Sequence, residues 1–188
     1  FKGFSLTAGV LSLAIILGLI WRPGRRFLFP FLYPFPLFTA IIKLGCFSDG
    51  CCYGRPTGLP FGVTYPGGSY ASLLHYRRGD IMSRYAESMP VHPVQVYVSL
   101  SMLLLFIALS VMLRRGVARD IIAGTSLIGY GVANFFIEFL RQEVTVFIGL
   151  TPSQLIHFGI IAIGVWLIRS VRREADGSNV PGTPGTTV

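Results

Sequence analysis

The stretch Pro93-Val-Gln-Val-Tyr-Val-Ser-Leu-Ser-Met-Leu-Leu-Leu-Phe-Ile-Ala-Leu-Ser-Val-Met-Leu113 decides the fold of this chain. It contains no charged residue, and Arg114 and Arg115 follow it at once. A helix of this length crosses about 30 Å of hydrocarbon. The sequence therefore predicts a membrane-spanning helix with a basic end.

Four more apolar blocks of similar length indicate that the whole chain is built in this way. They lie at residues 3–21, 27–44, 121–140 and 152–168. Of the 188 residues, 52% are hydrophobic and 13% are charged, and the mean hydropathy is +0.64. Soluble domains carry about a quarter charged residues. We predict an all-α integral membrane protein in which residues 1–168 form a bundle of about five transmembrane helices.

The basic residues indicate how the bundle is oriented. The formal net charge of +8 suggests nucleic acid at first sight, but many basic residues lie directly beside membrane blocks: Arg22, Arg25 and Arg26; Arg114, Arg115 and Arg119; Arg169, Arg172 and Arg173. Cytoplasmic ends of membrane helices are rich in Lys and Arg. We therefore predict no nucleic-acid partner, a cytoplasmic C-terminus, and an outer loop region at residues 45–90.

The two ends of the chain differ in character. Because the chain opens with Phe1 rather than Met, we expect the number of helices to be a minimum, and nothing resembles a cleaved signal peptide. At the other end, residues 169–188 form a basic segment and then a stretch rich in Gly and Pro with almost nothing apolar. That composition predicts a disordered cytoplasmic tail from residue 174 onward.

Prolines interrupt the block at residues 27–44, and glycines and prolines fill the outer region. Pro30, Pro34 and Pro36 each remove a backbone donor, so we predict a bent or broken span that borders a polar interior. In the outer region, aromatic residues lie among the turn formers, which predicts a folded segment with a short strand at residues 61–65.

The first chemical constellation is Lys43-Leu-Gly-Cys-Phe-Ser-Asp-Gly-Cys-Cys-Tyr-Gly-Arg55, at the outer end of the second block. Its cations can hold a phosphate at the headgroup layer, and Gly50 and Gly54 allow the backbone to approach a ligand closely. Asp49 adds a carboxylate. The alternative is a tight turn whose basic residues reach the membrane interface.

The three cysteines lie within this constellation. Cys46, Cys51 and Cys52 have the spacing C-x4-C-C, which differs from the C-x2-C pairs of structural zinc sites and has no second half. We therefore predict no metal and no cofactor. A disulfide of Cys46 with Cys51 or Cys52 is chemically allowed on the outer side and stays open.

The second constellation is His92-Pro-Val-Gln-Val-Tyr97, where the chain re-enters the membrane. We expect a helix to begin near Pro93, with His92 at its N-cap, Gln95 in the first turn and Tyr97 one turn further. Exposed amide groups at such an end favour anions. The alternative is that His92 and Tyr97 are ordinary interfacial residues.

The third constellation is Tyr130-Gly-Val-Ala-Asn-Phe-Phe-Ile-Glu-Phe-Leu-Arg141. Asn134, Glu138 and Arg141 are spaced four and three residues apart, so they project from one helical face. A carboxylate in a membrane helix is costly and usually marks a functional or paired site. The alternative is a structural ion pair between Glu138 and Arg141.

In this order, the three constellations resemble the bacterial prolipoprotein diacylglyceryl transferase family. Its signature runs approximately G-R-I-G-N-F-I-N-G-E-x-x-G-R, then H-P-S-Q-L-Y-E, then Y-G-x-x-R-x-x-x-E-F-x-R. The chain keeps Gly45, Phe47, Gly50, Gly54, Arg55, His92, Pro93, Gln95, Tyr97, Tyr130, Gly131, Glu138, Phe139 and Arg141.

The resemblance implies an enzyme of the bacterial cytoplasmic (inner) membrane with its active face outward. Such an enzyme moves a diacylglyceryl group from phosphatidylglycerol, a membrane lipid, to the lipobox cysteine of a prolipoprotein signal peptide. The resemblance implies catalytic roles for His92, Glu138 and Tyr97. It implies substrate-binding roles for Lys2, Lys43, Asp49, Gly50, Gly54, Arg55, Gln95, Tyr130, Asn134 and Arg141.

Several positions depart from the signature and motivate an alternative function. Lys43 and Asn134 each stand where the family has arginine, and Lys2-Gly3-Phe4 stands where it has His-Gly-Gly. The alternative is a non-catalytic or repurposed paralog that binds anionic lipid or a membrane partner, or one that uses its cysteines for thiol chemistry. A transporter is less favoured because the sequence shows no inverted repeat.

Overall fold

The computed structural model describes residues 25–141 and 149–178, and helices dominate these ranges. The helices are α1 (Arg25–Leu32), α2 (Phe35–Ser48), α3 (Tyr70–Arg78), α4 (Val94–Arg114), α5 (Arg119–Glu138) and α6 (Pro152–Ser178). Within the described ranges, four spans are long and apolar enough to cross a membrane: Leu28–Ser48, Val94–Arg114, Arg119–Glu138 and Pro152–Val171. The predicted all-α membrane fold is confirmed, and the predicted block at residues 3–21 lies outside the described residues.

The predicted strand at residues 61–65 is wrong. Within the described ranges, this part of the chain makes only an isolated bridge between Val63 and Val91. The two residues exchange backbone hydrogen bonds of 3.0 and 3.1 Å, but the Gly62 N–H turns back to the Leu59 carbonyl. Because Gly62 belongs to a turn, pairing cannot extend into a strand.

The span from Leu28 to Ser48 is interrupted at Tyr33 and Pro34, as the prolines predict. Pro36 has no N–H to donate to the Leu32 carbonyl one turn earlier. The Ser126 hydroxyl of α5 donates to that carbonyl instead, at 2.7 Å. A neighbouring helix therefore satisfies the backbone group that the proline leaves free, as burial at membrane depth requires.

Spans that follow one another in the chain pack antiparallel. Hydroxyl groups of α4 join it to the first span, since Ser99 donates to the Ala40 carbonyl at 3.0 Å and Ser110 lies 3.0 Å from the Tyr33 hydroxyl. Glycines set the contact of α5 with α6, because a Cβ on Gly124 would lie 3.0 Å from the carbonyl oxygen of Gly164. Small residues of this kind allow membrane helices to approach closely.

The ends of the bundle are chemically different. The segment between α2 and α4, which contains α3, lies at the end where α2 and α5 finish. Arg114, Arg115 and Arg119 mark the opposite end.

Helix α6 continues to Ser178, so the first residues of the predicted tail, from 174, are helical rather than disordered. Glu174 and Ala175 are good helix formers, and no proline lies between them and Ser178.

The segment between α2 and α4 has a small core of its own. Tyr65, Ala71 and Val91 are buried together, and Phe47 and Tyr53 pack against them. The Ser69 hydroxyl caps α3 by accepting the Ser72 N–H, at 3.2 Å. This core gives the segment between α2 and α4 a defined shape beside the ends of the spans.

Candidate functional site

The three sequence constellations meet through their backbones. The Gly54 N–H donates to the His92 carbonyl at 2.9 Å, and the His92 N–H donates to the Arg55 carbonyl at 3.1 Å. The Arg55 N–H donates to the Leu140 carbonyl at 2.8 Å. Residues from the segment between α2 and α4, from the start of α4 and from the end of α5 therefore form one connected site.

Gly54 lies where no side chain fits. A Cβ there would lie 2.6 Å from the Leu140 carbonyl oxygen, 2.7 Å from a Val94 methyl carbon and 2.8 Å from the Cβ of His92. Real Cβ atoms do not approach other atoms so closely. Glycine is therefore needed for the three segments to touch, which is a packing reason for this residue that the sequence alone does not reveal.

Two cations of the site, Arg55 and Arg141, are neighbours through their backbones. Arg55 is exposed, and its guanidinium donates to the Phe139 carbonyl just past the end of α5. Its backbone is bonded to Leu140, the residue before Arg141. The third predicted cation, Lys43, lies in the last two turns of α2 and is partly exposed.

His92 lies against Tyr97 at the start of α4. The Nδ1 atom of His92 is 3.5 Å from the Tyr97 hydroxyl, and their ring centroids are 6.3 Å apart. The N-cap is Pro93 rather than His92, so His92 lies one residue further from the helix than predicted. The His92 carbonyl accepts the N–H groups of Gly54 and Val94. The N–H groups of Val96 and Tyr97 bond instead to the Pro93 carbonyl, so the helical hydrogen bonds begin at Pro93.

Glu138 and Arg141 form an ion pair of 3.4 Å between Oε2 and Nη1. The Glu138 side chain is only 5% exposed, whereas that of Arg141 is 29% exposed. One turn earlier, the Asn134 side-chain amide donates to the Tyr130 carbonyl at 2.9 Å. The Tyr130 ring packs against Phe35, with the ring centroids 5.1 Å apart. Asn134 and Glu138 therefore share a face of α5, as predicted, but Arg141 lies past the end of the helix and reaches Glu138 from the following turn.

Gln95 is fully buried and holds the segment between α2 and α4 in place. Its side-chain amide donates to the Cys51 carbonyl and, at 3.1 Å, to the Tyr65 hydroxyl. Gly50 lies beside the same tyrosine, since a Cβ there would be 3.0 Å from the Tyr65 ring. Asp49 caps the end of α2 and is exposed. In this structure these contacts join one part of the protein to another, and the substrate-binding roles of Gln95, Gly50 and Asp49 stay predictions.

The three cysteines are free thiols, all partly exposed. The pKa of the Cys51 thiol is raised to about 12, mainly because burial disfavours the thiolate and also because Cys52 and Cys46 lie beside it. Cys51 is therefore protonated at neutral pH.

Sequence reasoning missed several groups of the site. The Leu140 and Phe139 carbonyls are backbone groups, so no residue pattern marks them. Tyr65, the hydrogen-bond partner of Gln95, was marked in the sequence only as one of several aromatic residues between α2 and α4. The predicted residue Lys2 lies outside the described residues.

Comparison with known proteins shows the family of the chain. The sequence model of the family described as prolipoprotein diacylglyceryl transferase matches residues 3–170. A phosphatidylglycerol–prolipoprotein diacylglyceryl transferase of Proteus mirabilis is 29% identical over 98% of this chain and 66% of its own length. Proteins of the same name from Aromatoleum aromaticum and Clostridium tetani are 31% and 32% identical, over 92% and 66% of this chain.

These alignments cover 63% of the Aromatoleum protein and 45% of the Clostridium protein, so the chain spans about two thirds or less of these relatives. The family match nevertheless includes all three constellations, the first three candidate spans, and the fourth span up to residue 170. The chain belongs to the prolipoprotein diacylglyceryl transferase family.

Proposed function

We propose that this protein transfers a diacylglyceryl group from phosphatidylglycerol to the cysteine thiol of a prolipoprotein lipobox. The observation that carries the proposal is the convergence of Gly54, His92 and Leu140, which joins the three family motifs at one end of a membrane bundle. The family match supports the same reaction. The names of the relatives supply the lipid donor and the prolipoprotein acceptor.

The cations of the site suit the phosphate of the lipid donor. Arg55 and Arg141 lie close together because the Arg55 N–H is bonded to the carbonyl of Leu140, the residue before Arg141. Guanidinium groups bind phosphate oxygens through two parallel hydrogen bonds. Lys43 adds a point charge from α2. We assign these three residues to the headgroup phosphate, whose negative charge increases when it becomes the leaving group.

The reaction needs a thiolate and a leaving phosphate. The acceptor sulfur attacks the glyceryl carbon that carries the phosphate ester, so a C–S bond forms, the C–O bond breaks and glycerol phosphate leaves. His92 is the candidate acceptor for the thiol proton, with Tyr97 orienting its ring through the 3.5 Å contact. Glu138 holds Arg141 in position and is the second candidate proton acceptor.

The surroundings suit a lipid substrate. Large apolar residues of the spans are exposed and include Phe38, Ile41, Leu100, Leu104 and Phe136. In a bilayer these side chains contact lipid, so a lipid reaches the site laterally from the hydrocarbon. The basic end at Arg114, Arg115 and Arg119 supports a cytoplasmic location for that side, with the site on the outer face.

The test is a transfer assay with membranes that contain the full-length protein. The substrates are phosphatidylglycerol labelled in its acyl chains and two lipobox peptides, one with Cys and one with Ser at the acceptor position. We expect label transfer to the Cys peptide only. No transfer by folded protein, with a known transferase active in parallel, would overturn the proposal.

One observation favours the alternative of a non-catalytic paralog. Asn134 stands where the family has arginine, and its amide donates to the Tyr130 carbonyl of its own helix. This amide therefore provides no positive charge for the phosphate. A protein that binds phosphatidylglycerol vesicles but transfers no label in the same assay would support this alternative.

A further inference from the structure

Three cysteine side chains converge at the outer end of α2. The sulfur atoms of Cys46, Cys51 and Cys52 all lie within 4.8 Å of one another. All three are free thiols with partly exposed side chains. The transfer reaction proposed above uses none of them, so their proximity needs a separate explanation.

The end of α2 places the first two cysteines together. The Cys51 N–H donates to the Cys46 carbonyl at 3.1 Å, and the Gly50 N–H donates to the Phe47 carbonyl at 3.2 Å. Gly50 has a left-handed backbone, with φ of 66°. These bonds define a Schellman motif, in which the side chains at the positions of Cys46 and Cys51 meet and are usually apolar. Here both positions are cysteine.

The third thiol depends on an unfavourable backbone conformation. Cys52 has φ of 59°, a left-handed value that residues with a Cβ seldom adopt, and no other non-glycine residue in the described ranges has a positive φ. The turn is also held from α4, because buried Gln95 donates to the Cys51 carbonyl and to the Tyr65 hydroxyl. The three sulfur atoms are therefore held together by the fold, without a covalent bond.

We propose that Cys46, Cys51 and Cys52 bind a thiophilic metal cation of the Zn²⁺ class through their three sulfur atoms. At a Zn–S distance of about 2.3 Å, the sulfur atoms of a tetrahedral site are about 3.8 Å apart. Separations of up to 4.8 Å therefore need to close by about 1 Å at most. Thiolates select Zn²⁺ and Cu⁺ over Mg²⁺ and Ca²⁺.

Charge and protons balance in this site. Three thiols release three protons as one divalent cation binds, so the filled site has one net negative charge. Because protons compete with the metal, affinity rises with pH. Three protein ligands also leave the fourth tetrahedral position to a water or another small ligand.

The experiment uses the full chain in detergent, reduced and then freed of reductant without oxygen. Cd²⁺ and Zn²⁺ are the probes, and Mg²⁺ is the control ion. We expect one Cd²⁺ per chain, a sulfur-to-metal charge-transfer band in the ultraviolet and release of about three protons. We expect each of Cys46→Ser, Cys51→Ser and Cys52→Ser to weaken Cd²⁺ binding about 100-fold or more, because removal even of a supporting group costs 10- to 100-fold.

Ser48→Ala is the matched control, since Ser48 is exposed in the same turn and offers no soft ligand. It should bind Cd²⁺ like the wild type. A second measurement avoids any folding defect of the variants: in the wild-type protein, Cd²⁺ should protect the thiols from maleimide. Three results would each overturn the proposal. Maleimide labelling could be unchanged by Cd²⁺, or the serine variants could bind Cd²⁺ like the wild type. The native protein could also contain a disulfide, with a reduced form that does not bind Cd²⁺.

Discussion

The backbone N–H of Gly54 lies 2.9 Å from the carbonyl oxygen of His92, and a Cβ on Gly54 would come within 2.8 Å of the His92 Cβ. The first and second family motifs are therefore in direct contact, and Arg55 extends that contact to the third motif through Leu140. The site depends on close approach of backbones as much as on its charged side chains.

We predict that Gly54→Ala lowers the free energy of unfolding by about 1–3 kcal/mol and reduces transfer activity. The added methyl group would overlap atoms of neighbouring segments, including the backbone carbonyl oxygen of Leu140. Thermal unfolding in detergent and the transfer assay measure the two effects. Gly58→Ala is the control, since a Cβ there meets nothing within 4 Å. Equal melting temperatures for the two variants would contradict the packing role of Gly54.

Lys43→Ala should raise the KM for phosphatidylglycerol about tenfold or more, because a hydrogen bond to a charged group contributes about 1.5–3 kcal/mol. Lys43→Arg should retain or improve binding, since guanidinium also binds phosphate. Arg77→Ala, at an exposed basic position of α3, controls for net charge. Full activity of Lys43→Ala would remove Lys43 from the phosphate site.

Glu138→Gln should lower kcat about 100-fold if the carboxylate takes part in proton transfer, since general acid–base catalysis contributes about 10²–10⁴-fold. The amide has nearly the shape of the carboxylate, so we expect the protein to remain folded. Glu87→Gln, an exposed carboxylate of the outer region, is the control.

The alternative role of Glu138 is a structural ion pair with Arg141, and the same variant separates the two roles. A structural role would lower the melting temperature and would reduce activity only in proportion to the folded protein that remains. The stability loss would be moderate, because Arg141 is partly exposed and solvent screens the pair.

His75 predicts a pH dependence of stability. Its Nδ1 atom accepts the Met89 N–H at 3.1 Å, and burial lowers its pKa, with a smaller opposing effect of Asp80 and a further lowering by Arg78. The unfolded chain therefore binds a proton more readily than the folded chain. Stability is highest above the ordinary histidine pKa of about 6.5 and falls as the pH drops toward the lowered value.

Melting temperatures measured between about pH 8 and pH 5 test this prediction, since that range includes the ordinary histidine pKa. In His75→Asn, the side-chain oxygen takes the place of Nδ1 as acceptor but does not titrate. The variant should therefore lose less stability than the wild type as the pH falls. An equal loss in both proteins would show that other groups cause the acid sensitivity.

The sequence by itself determined the membrane spans. The predicted blocks at residues 27–44 and 121–140 correspond closely to the spans Leu28–Ser48 and Arg119–Glu138. A membrane helix satisfies its own backbone hydrogen bonds, so local apolar length is enough to identify it. The break near Pro34 was likewise local, because a proline removes its own donor.

Tertiary structure decided which distant residue forms the hydrogen bond that each local feature needs. The sequence shows that Pro36 leaves a carbonyl free, but only the packing of α5 identifies Ser126 as its donor. The sequence also places His92 near a helix start, but only the hydrogen bonds of the folded backbone show that the cap is Pro93. Such partners lie far apart in the chain, and no local pattern encodes them.

In the candidate site, too, some features follow from the sequence and others only from the tertiary structure. The sequence identified the three constellations by residue type, and spacing placed Asn134 and Glu138 on one face of a helix. The contacts among constellations depend on close backbone approach at Gly54, and the cysteine cluster depends on left-handed residues at Gly50 and Cys52. Helical spacing fixes neighbours within one element. Only the three-dimensional course of the connecting segments brings different elements together, because long-range packing determines their turns.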